Sequence, residues 1–354
     1  MWTRAVPELS RALGVEPGTL LRLCGAIYGL TNAPGIFWLD ADKKLRRIGA
    51  EVIILDKCLW IFKDKATGRV CGRVGSHVDD FLIAGDHQSS AWKHYRAEIS
   101  KMYRWSPWQR DSFIYAGTRI TQQTNFSITC SQEEFCNNLK PNVIDKDGQR
   151  ANDDPLTPKE TSTTRGALMK AQWRAVQTAP QFCARIGLAN SPIRNPTVAM
   201  LREANSILNQ MRKTSQDNLV FHSFNRGRRQ KLEWTDAIFP AWGDASHKNR
   251  CDGSSTGGYV IGVSVPELLE GKEAPVSLVD WRSWKLERVS LGSNGSEAQA
   301  VHETEDKGWK CRIFWSLLYG ETLNRGNANQ LASMVQSLLI MDSRRIYDGL
   351  TMSE

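Results

Sequence analysis

The chain has 354 residues, enough for two or three domains that each bury a core of their own. A hydrophobic content of 41% is that of an ordinary globular protein, and no apolar run approaches the ~18 residues a membrane span needs, which excludes an integral helical membrane protein. The formal net charge of +8, with basic stretches such as KKLRR and NRGRRQK, suits a polyanionic partner, because Lys and Arg give sequence-independent affinity for phosphate.

The opening residues MWTRAVPELSRAL have no continuous apolar core and no small-residue cleavage site. No secretory signal is therefore expected, and the expected location is cytoplasmic or nuclear. The eight cysteines are scattered without CxxC pairs or zinc-ligand spacing, so they read as reduced packing residues. No GxGxxG, Walker loop or Ser/His/Asp order is present, which sets aside the usual nucleotide-cofactor and hydrolase classes.

From Glu51 to Ala84 the pattern predicts successive antiparallel strands: EVIIL, CLWIFK, the turn-forming DKATG, RVCGRVGSHV and DFLIAG. Asp79 and Asp80 fall in the last turn. Two carboxylates about 4 Å apart repel by only ~1 kcal/mol in water but by far more in a dry interior, so the pair needs a turn, solvent or a cation. SSAWKHYRAEISKMY has helical spacing, with Trp92, Tyr95, Ile99 and Met102 on one stripe. FIYAGTRITQQTNFSITCS predicts a second β segment with QQTN as its turn, and SQEEFCNNL a helix capped by Ser131 with Glu134 three residues on.

Residues 142–164 are polar and Pro-rich and read as a linker or long loop. Residues 165–211 are mainly helical, and Val198, Leu201, Ile207 and Leu208 form an apolar stripe with Pro196 in the first turn. The basic segment 226–231 is either a solvated linker or a phosphate-contacting strip. A β-rich unit follows from about Leu232: FPAWGDAS as a strand ending in Asp244, STGGYVIGVSV as its hairpin partner and PVSLVDWRSW as a third strand. SNGSEAQAVHETED then opens a helix with Glu297 in its first turn. SLLIMDSRRIYDGL is an apolar run that stops at Asp342 and passes into a helix. Three acids thus sit at strand ends or a helix start, where distant segments converge.

LCGAIYGLTNAPGIFW, DKCLWIFK and SHVDDFLIAG, in that order, resemble the reverse transcriptase of copia-type retrotransposons, whose usual versions read LYGLxQAPRxW, SDxCLFxxK and YVDDxLIAG. FIYAGTRI…FSITCSQEEF and TTRGALMKAQWRAVQTAPQFCARIGLANSPIRNPT resemble the segments that follow in that family. WGDASH…DGSSTGGYVIGVS, SEAQAV and LIMDSRRIYD resemble its attached ribonuclease H domain. Each piece is degenerate; their shared order from about residue 20 onward makes the likeness specific.

The resemblance implies a Pol polyprotein region of α+β class: a truncated reverse-transcriptase palm with helical thumb/connection, followed by a ribonuclease H-like mixed β-sheet with helices. The implied division is 1–145 for the partial palm and start of the thumb, 146–231 for the helical thumb/connection and linker, and 232–354 for a C-terminally incomplete ribonuclease H-like domain. The implied activities are RNA-directed DNA polymerase (a nucleotidyltransferase) and ribonuclease H. Both run through two Mg²⁺ ions, with Mn²⁺ as a substitute, held by carboxylates. Asp79 would be a metal ligand and Asp80 a peripheral one, while Tyr28, Gly29 and Asn32 would contact nucleotide and template. Asp244, Glu297 and Asp342 would hold the metals of the nuclease half. The implied partners are RNA, DNA, their hybrid and other parts of the polyprotein, with no membrane.

The pattern also departs from the family. A further metal-binding Asp is expected upstream of YGLxQAP, where this sequence offers none, and Asp40 and Asp42 lie on the wrong side and are expected to face solvent. A fourth nuclease acid and a final helix are likewise expected to be missing, with Asp348 a solvated residue. His77 stands where Tyr is usual and Gly25 where Lys is common. The expectation is a Pol fragment with incomplete sites in both halves, impaired or inactive on its own. The alternative of another class is a non-catalytic nucleic-acid-binding module derived from a retroelement.

Overall fold

The computed structural model describes residues 2–22, 31–145, 149–225 and 227–351. The chain divides into two compact units, Met1–Pro107 with Leu318–Gly320, and Trp108–Leu317 with Glu321–Glu354.

The first unit begins with a small ribbon, β1 (Trp2–Arg4) paired antiparallel to β2 (Leu20–Arg22) around α1 (Pro7–Leu13). Next come α2 (Ala33–Arg47) and a four-stranded antiparallel meander of β3 (Ala50–Ile53), β4 (Asp56–Lys63), β5 (Val70–His77) and β6 (Asp80–Gly85). α3 (Ser90–Met102) closes over the sheet, its N-terminus capped by Ser89, whose hydroxyl accepts from the Trp92 N–H at 3.2 Å. The predicted stripe of α3 faces inward: Trp92, Tyr95 and Ile99 are buried with Trp60 and Phe62 of β4. Gly72 and Gly85 are cross-strand partners, and a Cβ on either would lie within 2.4 Å of the Trp92 ring, so their bare backbone is what admits that indole. Asp42 of α2 does not simply face solvent as expected. It is half-buried and accepts from the Trp60 indole N–H at 2.9 Å, tying α2 to β4. Asp40 is exposed and accepts from the Tyr103 hydroxyl at 2.6 Å.

The second unit starts with β7 (Ser112–Tyr115), β8 (Thr118–Gln122) and β9 (Ile128–Ser131), all antiparallel, followed by α4 (Glu133–Asn137). β7 and β8 are joined by Ala116 and Gly117, both at positive φ, the two-residue turn whose twist matches a hairpin. The cap of α4 falls one residue later than expected, at Gln132, while the Ser131 hydroxyl accepts from the Glu133 N–H. A helical layer follows: α5 (Pro158–Gln177), α6 (Cys183–Ala189) and α7 (Val198–Lys213). α5 begins inside the predicted linker because Thr157 and Glu160 form a reciprocal capping box, a signal hidden in the polar run PLTPKE. Pro196 lies before α7, whose N-cap is Thr197, so it does not occupy the first turn as expected. The predicted stripe of α7 is buried, with Val198, Leu201 and Ile207 fully so. β10 (Leu219–Phe221) returns to pair with β9.

The last layer comprises β11 (Ile238–Ser246), β12 (Thr256–Val263), β13 (Ser277–Lys285), the long α8 (Ser293–Leu318), α9 (Ala328–Ser333), β14 (Gln336–Ile340) and α10 (Arg344–Thr351). Its sheet runs in the order β13-β12-β11-β14, with β14 parallel to β11 and the other pairings antiparallel. Phe239, Ala241, Tyr259, Ile261 and Val263 are buried on it, joined by Trp315 from α8. At about 1.5–3 kcal/mol per buried large apolar side chain, this layer is held chiefly by that apolar packing. The fold is therefore mixed α and β, with several antiparallel sheets and one parallel pairing.

Candidate metal centre

Parallel pairing brings two of the acids level. Trp242 of β11 is in register with Ile340 of β14, so Asp244 and Asp342, two residues further along each strand direction, stand side by side at the same end of the sheet. The third acid comes from α8, seated close to β11. A Cβ on Gly243 would lie 2.4 Å from the Thr304 hydroxyl, and one on Gly308 would lie 3.9 Å from the Ala241 Cβ. Glu297 lies two helical turns before Thr304 and so shares its side of α8. The result is that carboxylate oxygens of Asp244, Glu297 and Asp342 all lie within 4.8 Å of one another.

Asp244 and Asp342 are exposed and Glu297 is half-buried. Burial, then the charges of Asp244 and Asp342, push the Glu297 carboxyl above its ordinary range; a hydrogen bond from the Ala245 backbone N–H works the other way. The same N–H donates to Asp244 Oδ1 at 2.7 Å. Three hard oxygen donors in mutual repulsion fit a divalent cation such as Mg²⁺, which would remove the repulsion.

The start of α8 is pinned by a network that sequence reasoning missed. His247 Nδ1 lies 3.1 Å from the hydroxyl of Ser296, a fully buried residue, which in turn donates to the Ser255 hydroxyl at 3.2 Å. Ser255 also accepts from the Lys248 backbone N–H at 3.0 Å. The β11–β12 connection thereby holds the residue next to Glu297. The one available signal was His247, three residues past Asp244.

The other expected residues are placed differently. Asp79 sits in the two-residue turn between β5 and β6 and Asp80 opens β6, paired with His77; both acids are exposed. Among the described residues no third acid gathers with them into a metal-binding group. The turn residue Val78 has φ +56°, a left-handed conformation that strains a β-branched side chain. Asn32 is exposed at the start of α2, where its carbonyl accepts from the Ile36 N–H at 3.1 Å. Tyr28 and Gly29 lie outside the described residues. Asp348 lies 3.8 Å from Arg344. In the basic segment, Arg228 pairs with Glu267 at 2.6 Å. No helix among the described residues is long and apolar enough to cross a membrane.

No protein-family profile and no curated protein matches the chain. One solved structure that aligns is the foamy viral protease-reverse transcriptase in complex with an RNA/DNA hybrid. It is 13% identical over 78% of this chain and 42% of that one, with a TM-score of 0.15. This chain therefore spans less than half of that protein's length, and a superposition so shallow adds no weight to any residue's role.

Proposed function

We propose that the C-terminal part, residues 232–354, is a ribonuclease H-like domain that hydrolyses the RNA strand of an RNA–DNA hybrid, within a chain derived from the Pol region of a copia-type retroelement. The observation that supports this reading is the convergence of Asp244, Glu297 and Asp342 on one point at the sheet's end. Those three side chains would hold Mg²⁺, or Mn²⁺ in its place. The bound metal would supply a water made acidic enough to attack phosphorus and a counter-charge for the leaving oxygen. The residues' own part is geometric: β11 and the connection just past β14 present two carboxylates side by side, and α8 brings the third. The network of His247, Ser296 and Ser255 keeps the start of α8 from drifting.

In the reverse-transcriptase part, Asp79 with Asp80 as its helper would be a metal-binding pair, and Tyr28, Gly29 and Asn32 would contact nucleotide and template. Two exposed carboxylates on one hairpin make a weaker cation site than three converging ones, so polymerase activity is assigned to this pair only in company with a further carboxylate. The test is cleavage of a labelled RNA–DNA hybrid in Mg²⁺ by the wild type and by Asp244→Asn. Metal-dependent cleavage by the wild type alone is the expected result. Equal cleavage by both proteins refutes the site, and no cleavage by either leaves the non-catalytic nucleic-acid-binding reading.

A further inference from the structure

On the face of the C-terminal sheet away from α8 lies a hollow of about 310 Å³, between β11, β12, β13 and the first turn of α6. Strand register orders its floor. Trp242, Val260 and Trp281 form one row, and Asp244, Gly258 and Ser283 form the next. Alternation places these residues on the side opposite Ala241 and Gly243, which face α8. The hollow exists because position 258 has no side chain: a Cβ there would meet only the Arg282 carbonyl oxygen, at 3.7 Å. Trp281 is held in place by its indole N–H, which donates to the Ala175 carbonyl at 2.9 Å. The facing wall is Pro180, Cys183 and Ala184.

This size is at the low end of small-molecule sites, and the lining, mainly apolar surface with a few hydroxyls, Asn249 and Arg282, is of the usual kind. Two indoles at one end offer stacking to a flat aromatic ring. At the other end is Asp244, which belongs both to this hollow and to the acidic trio. A ligand that satisfies both ends has an aromatic base joined to a phosphate, the phosphate lying toward the cation that the trio would hold. An apolar peptide side chain would use the indoles and leave the carboxylate end unmet.

We infer that this hollow receives a single nucleobase of the bound nucleic-acid strand, turned out of its stack, with its phosphate directed to Asp244. The inference rests on the nuclease reading above for the identity of the strand. Turning a base out of a stack costs a few kcal/mol, which stacking on the indoles offsets in part.

The experiment is fluorine NMR of the full chain labelled with fluorotryptophan, the Trp242 and Trp281 signals being assigned from Trp242→Phe and Trp281→Phe. Adenosine monophosphate and ribose phosphate are titrated in Ca²⁺. The expected result is a shift of both signals by adenosine monophosphate and not by ribose phosphate, with the apparent affinity about fivefold or more weaker in Gly258→Leu, which fills the hollow. Equal shifts from both probes mean phosphate contact alone and overturn the inference, as does no shift from either. If Gly258→Leu does not fold, the two-probe comparison on the wild type still decides. Hybrid cleavage in Mg²⁺ on the same sample separates the two readings. Cleavage with unmoved indole signals overturns the base site and leaves the nuclease standing. Base-dependent shifts without cleavage support the base site and remove the nuclease.

Discussion

The chain carries two acidic sets, and they are built in opposite ways. Asp79 and Asp80 are neighbours in sequence, placed by one hairpin turn, and remain in water with no third acid among the described residues. Asp244, Glu297 and Asp342 come from three separate parts of the fold and meet within 4.8 Å, and burial, then the charges of the two aspartates, raise the Glu297 carboxyl above its ordinary range. A local pair can relieve its repulsion by turning outward. In the convergent trio each carboxylate comes from a different part of the fold, and their meeting gathers oxygen donors where a divalent cation can balance the charge.

The sharpest way to break this contrast is mutational. Glu297→Gln should lower hybrid cleavage about a hundredfold or more, whereas Asp79→Asn should leave it within about twofold; similar losses in both would show that the hairpin belongs to the same chemistry. Next in size is steric support of the trio. Gly243→Val puts methyl groups where Thr304 already sits at 2.4 Å from a Cβ, and should destabilise the protein by about 3 kcal/mol in chemical denaturation. Cleavage should fall further than stability alone explains, since α8 carries Glu297.

Cation linkage should separate the two sets in a similar range. At Mg²⁺ a hundredfold above its dissociation constant the wild type should gain about 2.7 kcal/mol, read as a rise in melting temperature. Asp342→Asn should lose most of that gain and Asp79→Asn none of it.

A smaller effect tests the helical layer, where an acid is satisfied by local partners. Hydrogen bonds from Arg150, then from the Thr157 backbone, hold the Glu160 carboxyl down from its usual 4.5 to about 2. A depressed carboxyl contributes its stability above 4.5 and loses it as pH falls toward 2, so the acid limb of a stability–pH curve should steepen across that window. Glu160→Gln should flatten that limb and cost about 2 kcal/mol at neutral pH, less than the full shift implies because Arg150 stays in partial contact with water. Smallest is the hairpin itself: Val78→Gly should stabilise the chain by about 1 kcal/mol by relieving a left-handed valine, unless a ligand depends on that strained turn.

What the sequence disclosed, and what it hid, follows from the range of each interaction. The β-prone runs EVIIL and CLWIFK and the stripe of α7 are local patterns, and the structure has a strand or helix at each; the strand ends are less local, since β11 runs on to Ser246 past Asp244 and β14 stops at Ile340, two residues before Asp342. The start of α5 at Pro158 was hidden because its capping box is written in the same polar residues as a loop. Asp42 was misread because nothing near it announces Trp60, eighteen residues away and on another element. The three acids were legible as candidates, yet their meeting depends on β14 choosing β11 as a parallel partner and on Gly243 admitting α8. Tertiary packing decides both.

That parallel pairing also orders events in time. β11 and β14 are separated by about a hundred residues, so closing their pairing carries a large loop-closure cost, and the edge next to Asp342 is expected to dock after the local hairpins and α8. The capacity to hold a cation should then appear late and all at once during refolding, making metal binding itself a reporter of when the last strand has found its seat.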